Sequence, residues 1–225
     1  MKKLLASALS GAMVLTLAGC GGSGGGDRPF EGQELHLYNW GEYMGENLIA
    51  DFEEQTGATV KVDYFDSNEQ MYIRVANGES FDVLVPSDYM IQRLMEEDLL
   101  QPLDKSKLSN LDLLNDDVMG LDYDPENEYS VPYFWGTVGI VYDKTKVSEE
   151  DLEKEGYNIF LDTKYKGDIY LYDSERDSFM MALKSLGYSM NTDNEDELNE
   201  AYEWLLQCVQ TMEPEIVTDE IIDNM

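Results

Sequence analysis

Carboxylates stand beside aromatic rings at three points of this 225-residue chain. The first group is Trp40, Glu42 and Tyr43; the second is Ser87, Asp88 and Tyr89; the third is Asp173, Ser174 and Asp177. Carboxylates bind ammonium or hydroxyl groups, while Trp and Tyr faces cover methylenes and attract cations. Brought together, these residues suit an elongated ligand with cationic ends and an apolar middle. A sugar is a second possibility for the same Trp, Tyr and Asp set. Paired carboxylates are also the tools of glycoside hydrolysis, but Glu42, Asp88 and Asp177 are too dispersed for an acid and a nucleophile to be assigned. Trp40 has a further reading, as a core aromatic.

Each group follows an apolar run that reads as a buried strand and precedes a helical pattern. In open α/β sheets, ligands bind beyond the carboxyl ends of the strands, so the three groups are placed to converge. The pattern predicts strands at residues 34–39, 59–64 and 82–85. They alternate with helices at about 46–55, closed by Gly57, at 68–76, capped by Ser67 with Gln70, and at about 89–97. Such β-α-β units imply a parallel, doubly wound sheet. A loop-rich stretch at 101–130 leads through Pro132 and Gly136 into a strand at 138–142. Beyond it come helices at 149–155, 175–186 and 195–212, with strands at 168–172 and 215–217. The division expected is a first lobe at 33–137 and a partial second lobe at 138–225, with a ligand crevice between them.

No cofactor is implied. There is no glycine-rich phosphate loop and no zinc spacing, and the one histidine, His36, lies within a strand. Asp122, Asp124 and Asn127 resemble a calcium loop, but Asn127 stands where glycine is needed and Tyr133 where glutamate is needed; a polar turn is expected instead. Asp193, Glu195, Asp196 and Glu197 suit a helix N-terminus.

The N-terminus carries Lys2 and Lys3, an apolar stretch at 4–17 too short to span a bilayer, and Leu17-Ala18-Gly19-Cys20. This order is that of a lipoprotein leader at 1–19, cleaved before a Cys20 that is then acylated, followed by a Gly/Ser tether at 20–32. Cys208 then has no disulfide partner; it falls in the helical stripe Leu198, Ala201, Leu205, Cys208, Met212 and reads as a small core residue. With 47 acidic against 15 basic residues, the net charge is −32. That opposes nucleic acid and anionic membrane surfaces as partners and steers cations inward.

At six stretches the chain resembles the polyamine-binding subunits of ABC importers: YNWGEY at 38–43, YFDSNEQM at 64–71, FDVLVPSDY at 81–89, DKSKL at 104–108, YSVPYFWG at 129–136 and MALKSLGY at 181–188. The resemblance implies a two-lobed periplasmic-binding-protein fold of type II. It also implies a non-catalytic role: capture of putrescine or spermidine and delivery to a membrane permease by a monomer anchored on the outer side of the cell membrane. By the same resemblance, Trp40, Tyr43 and Tyr89 flank the methylene chain, Ser87 offers a hydroxyl, and Glu42 and Asp177 face ammonium groups. Gly41 and Ser174 depart from some relatives and leave the choice between the two polyamines open. Relatives extend well past residue 225, so a fold incomplete at its C-terminus is expected, ending in a barely started helix after Thr218.

Overall fold

The computed structural model describes residues 28–218 and 221. The expected leader, Cys20 and the glycine run at 21–26 lie outside them, as does most of the short helix expected after Thr218. The chain is tied down from Phe30, whose N–H donates to the Thr56 carbonyl at 2.9 Å.

The first sheet has strand β1 (Glu34–Trp40) at its centre, flanked by β2 (Thr59–Phe65) and β3 (Val83–Leu84), all parallel. Register sets Trp40 opposite Phe65 and Tyr38 opposite Leu84, so the strands end together on the side where the helices begin. The crossovers are α1 (Leu48–Thr56) and α2 (Asn68–Ala76), and α3 (Asp88–Glu96) follows β3. Gly57 closes α1 at φ 78°, a conformation that favours glycine. The Ser67 hydroxyl caps α2 by accepting from the Gln70 N–H, and the Gln70 side chain returns to the Asp66 N–H. Strand β3 is shorter than the residues 82–85 expected. The flanking residues still reach β1, the Asp82 N–H donating to the His36 carbonyl at 2.9 Å and the Val85 N–H to the Tyr38 carbonyl at 3.1 Å, but the His36 N–H goes to the Asp82 carboxylate at 2.7 Å and not to a backbone carbonyl. Tyr38, Phe65, Met71, Val75, Met90 and Leu94 form the core beneath this sheet.

Residues 101–130 hold short 3₁₀ turns gathered around Asp124, which is 2% exposed. Its carboxylate accepts from the Glu128 N–H (2.9 Å), the Tyr129 N–H (3.0 Å), the Ser130 N–H (2.9 Å) and the Ser130 hydroxyl (2.8 Å). Asn127, at φ 47°, caps the Gly120 N–H, so the stretch is the polar turn expected and not a calcium loop. Among the described residues no group of three acids, histidines or cysteines is placed to hold a metal.

The second part is built on β4 (Tyr170–Tyr172) and β5 (Glu215–Val217), a parallel pair joined through α5 (Glu175–Leu186) and α6 (Glu195–Met212) and preceded by α4 (Glu149–Glu155). The strand expected at 138–142 does not form: apolar side chains favour it, but no described segment offers its backbone a ladder, and Val141 stays 78% exposed. Strand β4 starts two residues later than expected because Asp168 is drawn to Lys146 (2.9 Å) and the Gly167 N–H to the Met212 carbonyl (3.0 Å). Two 3₁₀ turns at Gly156–Leu161 and Thr163–Tyr165, not foreseen from sequence, carry Ile159 and Tyr165 into a core shared with Leu171, Leu183, Trp204, Cys208 and Met212. Burial pushes the Cys208 thiol up to about 11, and its sulfur lies 3.2 Å from the Phe160 carbonyl oxygen.

Candidate functional site

The end of β1 lifts Trp40 onto the edge of the core. Its ring packs on Phe65 (4.5 Å between centroids), and its indole N–H donates to the Val85 carbonyl at 2.8 Å. That bond pins the end of β1 to the segment leading into α3. Trp40 is thus part of the core edge: its polar handle is spent inside, while its ring lies 5.7 Å from that of Tyr43. Tyr43 continues the aromatic run to Phe134, edge-on at 5.3 Å, and Tyr133, a further 4.1 Å away. The Tyr133 hydroxyl donates to the Tyr43 carbonyl at 2.6 Å, tying the chain after the Asp124 turn to the β1 junction. Glu42 is exposed, and its carboxylate has no hydrogen bond or ion pair among the described residues.

Asn68, buried at the N-terminus of α2, organises the second junction. Its side-chain amide donates to the Ser87 hydroxyl and the Tyr89 hydroxyl, both at 3.0 Å, and its oxygen accepts the Ser87 N–H at 3.0 Å. The Tyr89 hydroxyl in turn donates to Glu69 at 2.9 Å. Its polar end is therefore held against the start of α2, and the ring face is what remains to present. Burial raises the Tyr89 phenol pKa, and the hydrogen bond to Glu69, the Glu69 charge and the Asp177 charge raise it further. Asp88 is exposed and turns back on the Tyr89 N–H at 2.7 Å; after desolvation, its charge is the next influence raising the Tyr123 phenol.

At the third junction the Ser174 hydroxyl caps α5 by accepting the Asp177 N–H at 3.3 Å. Ser174 is therefore occupied as a cap. Asp173 is exposed, and its N–H donates to the Val217 carbonyl at 2.8 Å, extending the β4–β5 ladder. Asp177 is half-buried and borders a cavity of about 450 Å³ whose walls include Ile140, Tyr142, Phe160, Leu171 and Met181. Arg176 brings this junction to the second one: its guanidinium carbon stands 5.6 Å from the Tyr89 ring centroid.

The structure therefore gathers Tyr89, Glu69, Asp177 and Arg176 at one place, and Trp40, Tyr43, Tyr133 and Phe134 at another, with the Trp40–Val85 bond between them. Glu42, Asp88 and Asp173 are exposed. Asn68, Glu69, Tyr133, Phe134 and Arg176 were not singled out from sequence. Asn68 and Glu69 lie in the 64–71 stretch, and Tyr133 and Phe134 in the 129–136 stretch, that carry the family resemblance, but no role was assigned to them individually.

The family of bacterial extracellular solute-binding proteins matches residues 47–216. This chain belongs to that family. The solute-binding protein is 38% identical over 176 residues to the spermidine/putrescine-binding periplasmic protein of Escherichia coli (strain K12), an alignment covering 75% of this chain and 48% of that protein. Among solved structures it resembles the Tp0655 (TpPotD) lipoprotein of Treponema pallidum, with TM-score 0.71 and 33% identity over 82% of this chain and 57% of that one. It also resembles the spermidine/putrescine ABC transporter substrate-binding protein PotD of Streptococcus pneumoniae, with TM-score 0.65 and 38% identity over 86% and 59%. The fold is thus periplasmic-binding-protein-like. The chain spans about half the length of the curated relatives it matches. The family and these relatives are substrate-binding proteins of transport rather than enzymes, and they are periplasmic or extracellular.

Proposed function

We propose that this solute-binding protein captures a polyamine of the putrescine or spermidine class outside the cytoplasm and passes it to the permease of an ABC importer. The lobes are those at 33–137 and 138–225, and acylated Cys20 holds the protein at the membrane. One observation carries the reading: the Tyr89 hydroxyl is bonded to Glu69 and feels the charge of Asp177, and Tyr89 packs on the same core as Trp40, where the aromatic run to Tyr43 and Phe134 begins. In that arrangement Asp177, with Glu42 and Asp88 as outer guides, receives the ammonium groups. Trp40, Tyr43 and Tyr89 cover the methylenes, and Ser87 adds a hydroxyl contact. Asp173 and Ser174 border the site and hold the start of α5 in place. The names of the matched relatives point to the same ligand class. A carboxylate lost from a buried ammonium pair costs about 2–5 kcal/mol. Titration calorimetry with spermidine on wild type, Asp177→Asn and Trp40→Ala tests the reading. Both variants are expected to bind more weakly, and unchanged affinity in both removes these residues from the site.

A further inference from the structure

We infer that Arg176 is an internal competitor for the ligand ammonium at Tyr89, an inference that rests on the polyamine reading above. Its guanidinium carbon lies 5.6 Å from the Tyr89 ring centroid, inside the range at which a cation is attracted to an aromatic face. Its other contact is a hydrogen bond to the Asn191 side chain at 3.4 Å. The chain has 47 acidic residues for 15 basic ones, and Arg74 and Arg93 each pair with a glutamate. Arg176, among the described residues, pairs with none. It also sits in the first turn of α5, where the helix dipole disfavours a positive charge. A cation placed against its own helix dipole and left without a carboxylate is held where a ligand's charge is due to arrive.

The Tyr89 hydroxyl is bound to Asn68 and Glu69, so the ring face is the surface Tyr89 presents. An ammonium that reaches for Asp177 meets that face already covered, with a like charge one residue along the helix. The ligand gains the contact only as Arg176 swings away. A monoamine thus exchanges one cation for another at Tyr89, whereas a diamine or triamine carries a second ammonium to a carboxylate that Arg176 does not guard. Arg176 thereby weakens every amine that reaches Tyr89 by the same amount, a cost that a second ammonium bound elsewhere offsets.

Calorimetric titration of the intact chain with butylamine, putrescine and spermidine, for wild type, Arg176→Gln and Arg176→Lys, tests this. Arg176→Gln is expected to tighten each amine about two- to fivefold, the range of an exposed cation–π contact. Arg176→Lys, which keeps the charge, is expected to remain near wild type. In a Tyr89→Leu background the Arg176→Gln gain is expected to vanish. Equal or weaker binding by Arg176→Gln at an unchanged unfolding midpoint overturns the inference while polyamine capture stands; so does a gain that survives in Tyr89→Leu. Failure of wild type to bind putrescine or spermidine overturns the polyamine reading and this inference with it.

Discussion

Replacing Asp124 with asparagine tests whether the turn that carries Tyr133 and Phe134 to the site is held by one buried carboxylate. One oxygen of Asp124 accepts three hydrogen bonds, from the Tyr129 N–H, the Ser130 N–H and the Ser130 hydroxyl; the other accepts the Glu128 N–H. An asparagine keeps the three by placing its oxygen among them, which turns its NH₂ against the Glu128 N–H. That loses one bond and leaves a donor facing a donor. The three that remain also lose the charge that made them strong. Bonds to charged groups are worth about 1.5–3 kcal/mol each, and an orphaned donor costs about 1–3 kcal/mol, so Asp124→Asn is expected to destabilise by about 2.5–6 kcal/mol. Burial opposes ionisation of Asp124, but the Ser130 hydroxyl and the three N–H donors outweigh it and hold its pKa below the ordinary aspartate value of 3.8. The sign follows: the folded state favours the carboxylate, so this stabilisation is complete above the ordinary value and is lost as pH falls through the depressed one. Urea unfolding followed by tryptophan fluorescence, at pH 7 and in steps down to about pH 3, measures both effects. A loss under about 0.5 kcal/mol at pH 7, or a gap between the two proteins that widens on acidification, refutes the reasoning.

Asn68→Ala removes both amide donors to Ser87 and Tyr89 and orphans the Ser87 N–H; we expect a loss of about 2–3 kcal/mol in unfolding free energy, with weaker polyamine binding in the same titration. Cys208 is buried and its thiol pKa is pushed up to about 11, so at pH 8 a thiol reagent is expected to modify the folded protein at least about a hundredfold more slowly than the urea-unfolded chain. Lys164, Ser148 and Tyr165, acting on Asp151 in that order, bring its pKa to about 2, so its carboxyl carbon is expected to titrate there by NMR; an ordinary aspartate midpoint contradicts the contacts drawn. Cys20→Ala is expected to leave the precursor uncleaved or the mature protein released from membranes, which fractionation and mass spectrometry read directly.

Elements that carry their own caps and stripes were legible in the sequence. α4, α5, α6 and β5 fall on the residues expected, because Ser148, Ser174 and Asn194 mark the helix starts and Gly156 and Gly187 stand after two of the ends. Residues 138–142 have the apolar, β-branched composition of a strand, yet a strand is defined by a partner's backbone, which composition does not supply. The 3₁₀ turns over Ile159, Phe160 and Leu161 escaped notice because a short apolar run without period looks the same in many conformations. At the site, the residue types were legible and the partners were not. Asn68 and Glu69 read as an ordinary helix start, and only the packing of α2 beside α3 turns them toward Tyr89. Arg176 was assigned no role from sequence, because its contact with Tyr89 exists only once α5 is set against the second junction.

The central position of β1 bears on how the chain is made. Both of its neighbours lie within the next fifty residues, with Leu84 as its last ladder partner. At about 5–20 residues per second, a ribosome delivers the three described strands of this sheet within roughly ten seconds of finishing β1. Short loops of this kind close at small entropic cost, so the sheet can form while the second part is still being synthesised. A leader of the kind proposed for residues 1–19 works on an extended chain. It must therefore engage the export machinery within that interval, or a holding chaperone must mask Tyr38, Phe65 and Met71. Slowing the collapse of the first sheet, for instance by weakening the Trp40–Val85 bond, is then a route to better secretion at the expense of the finished molecule's stability.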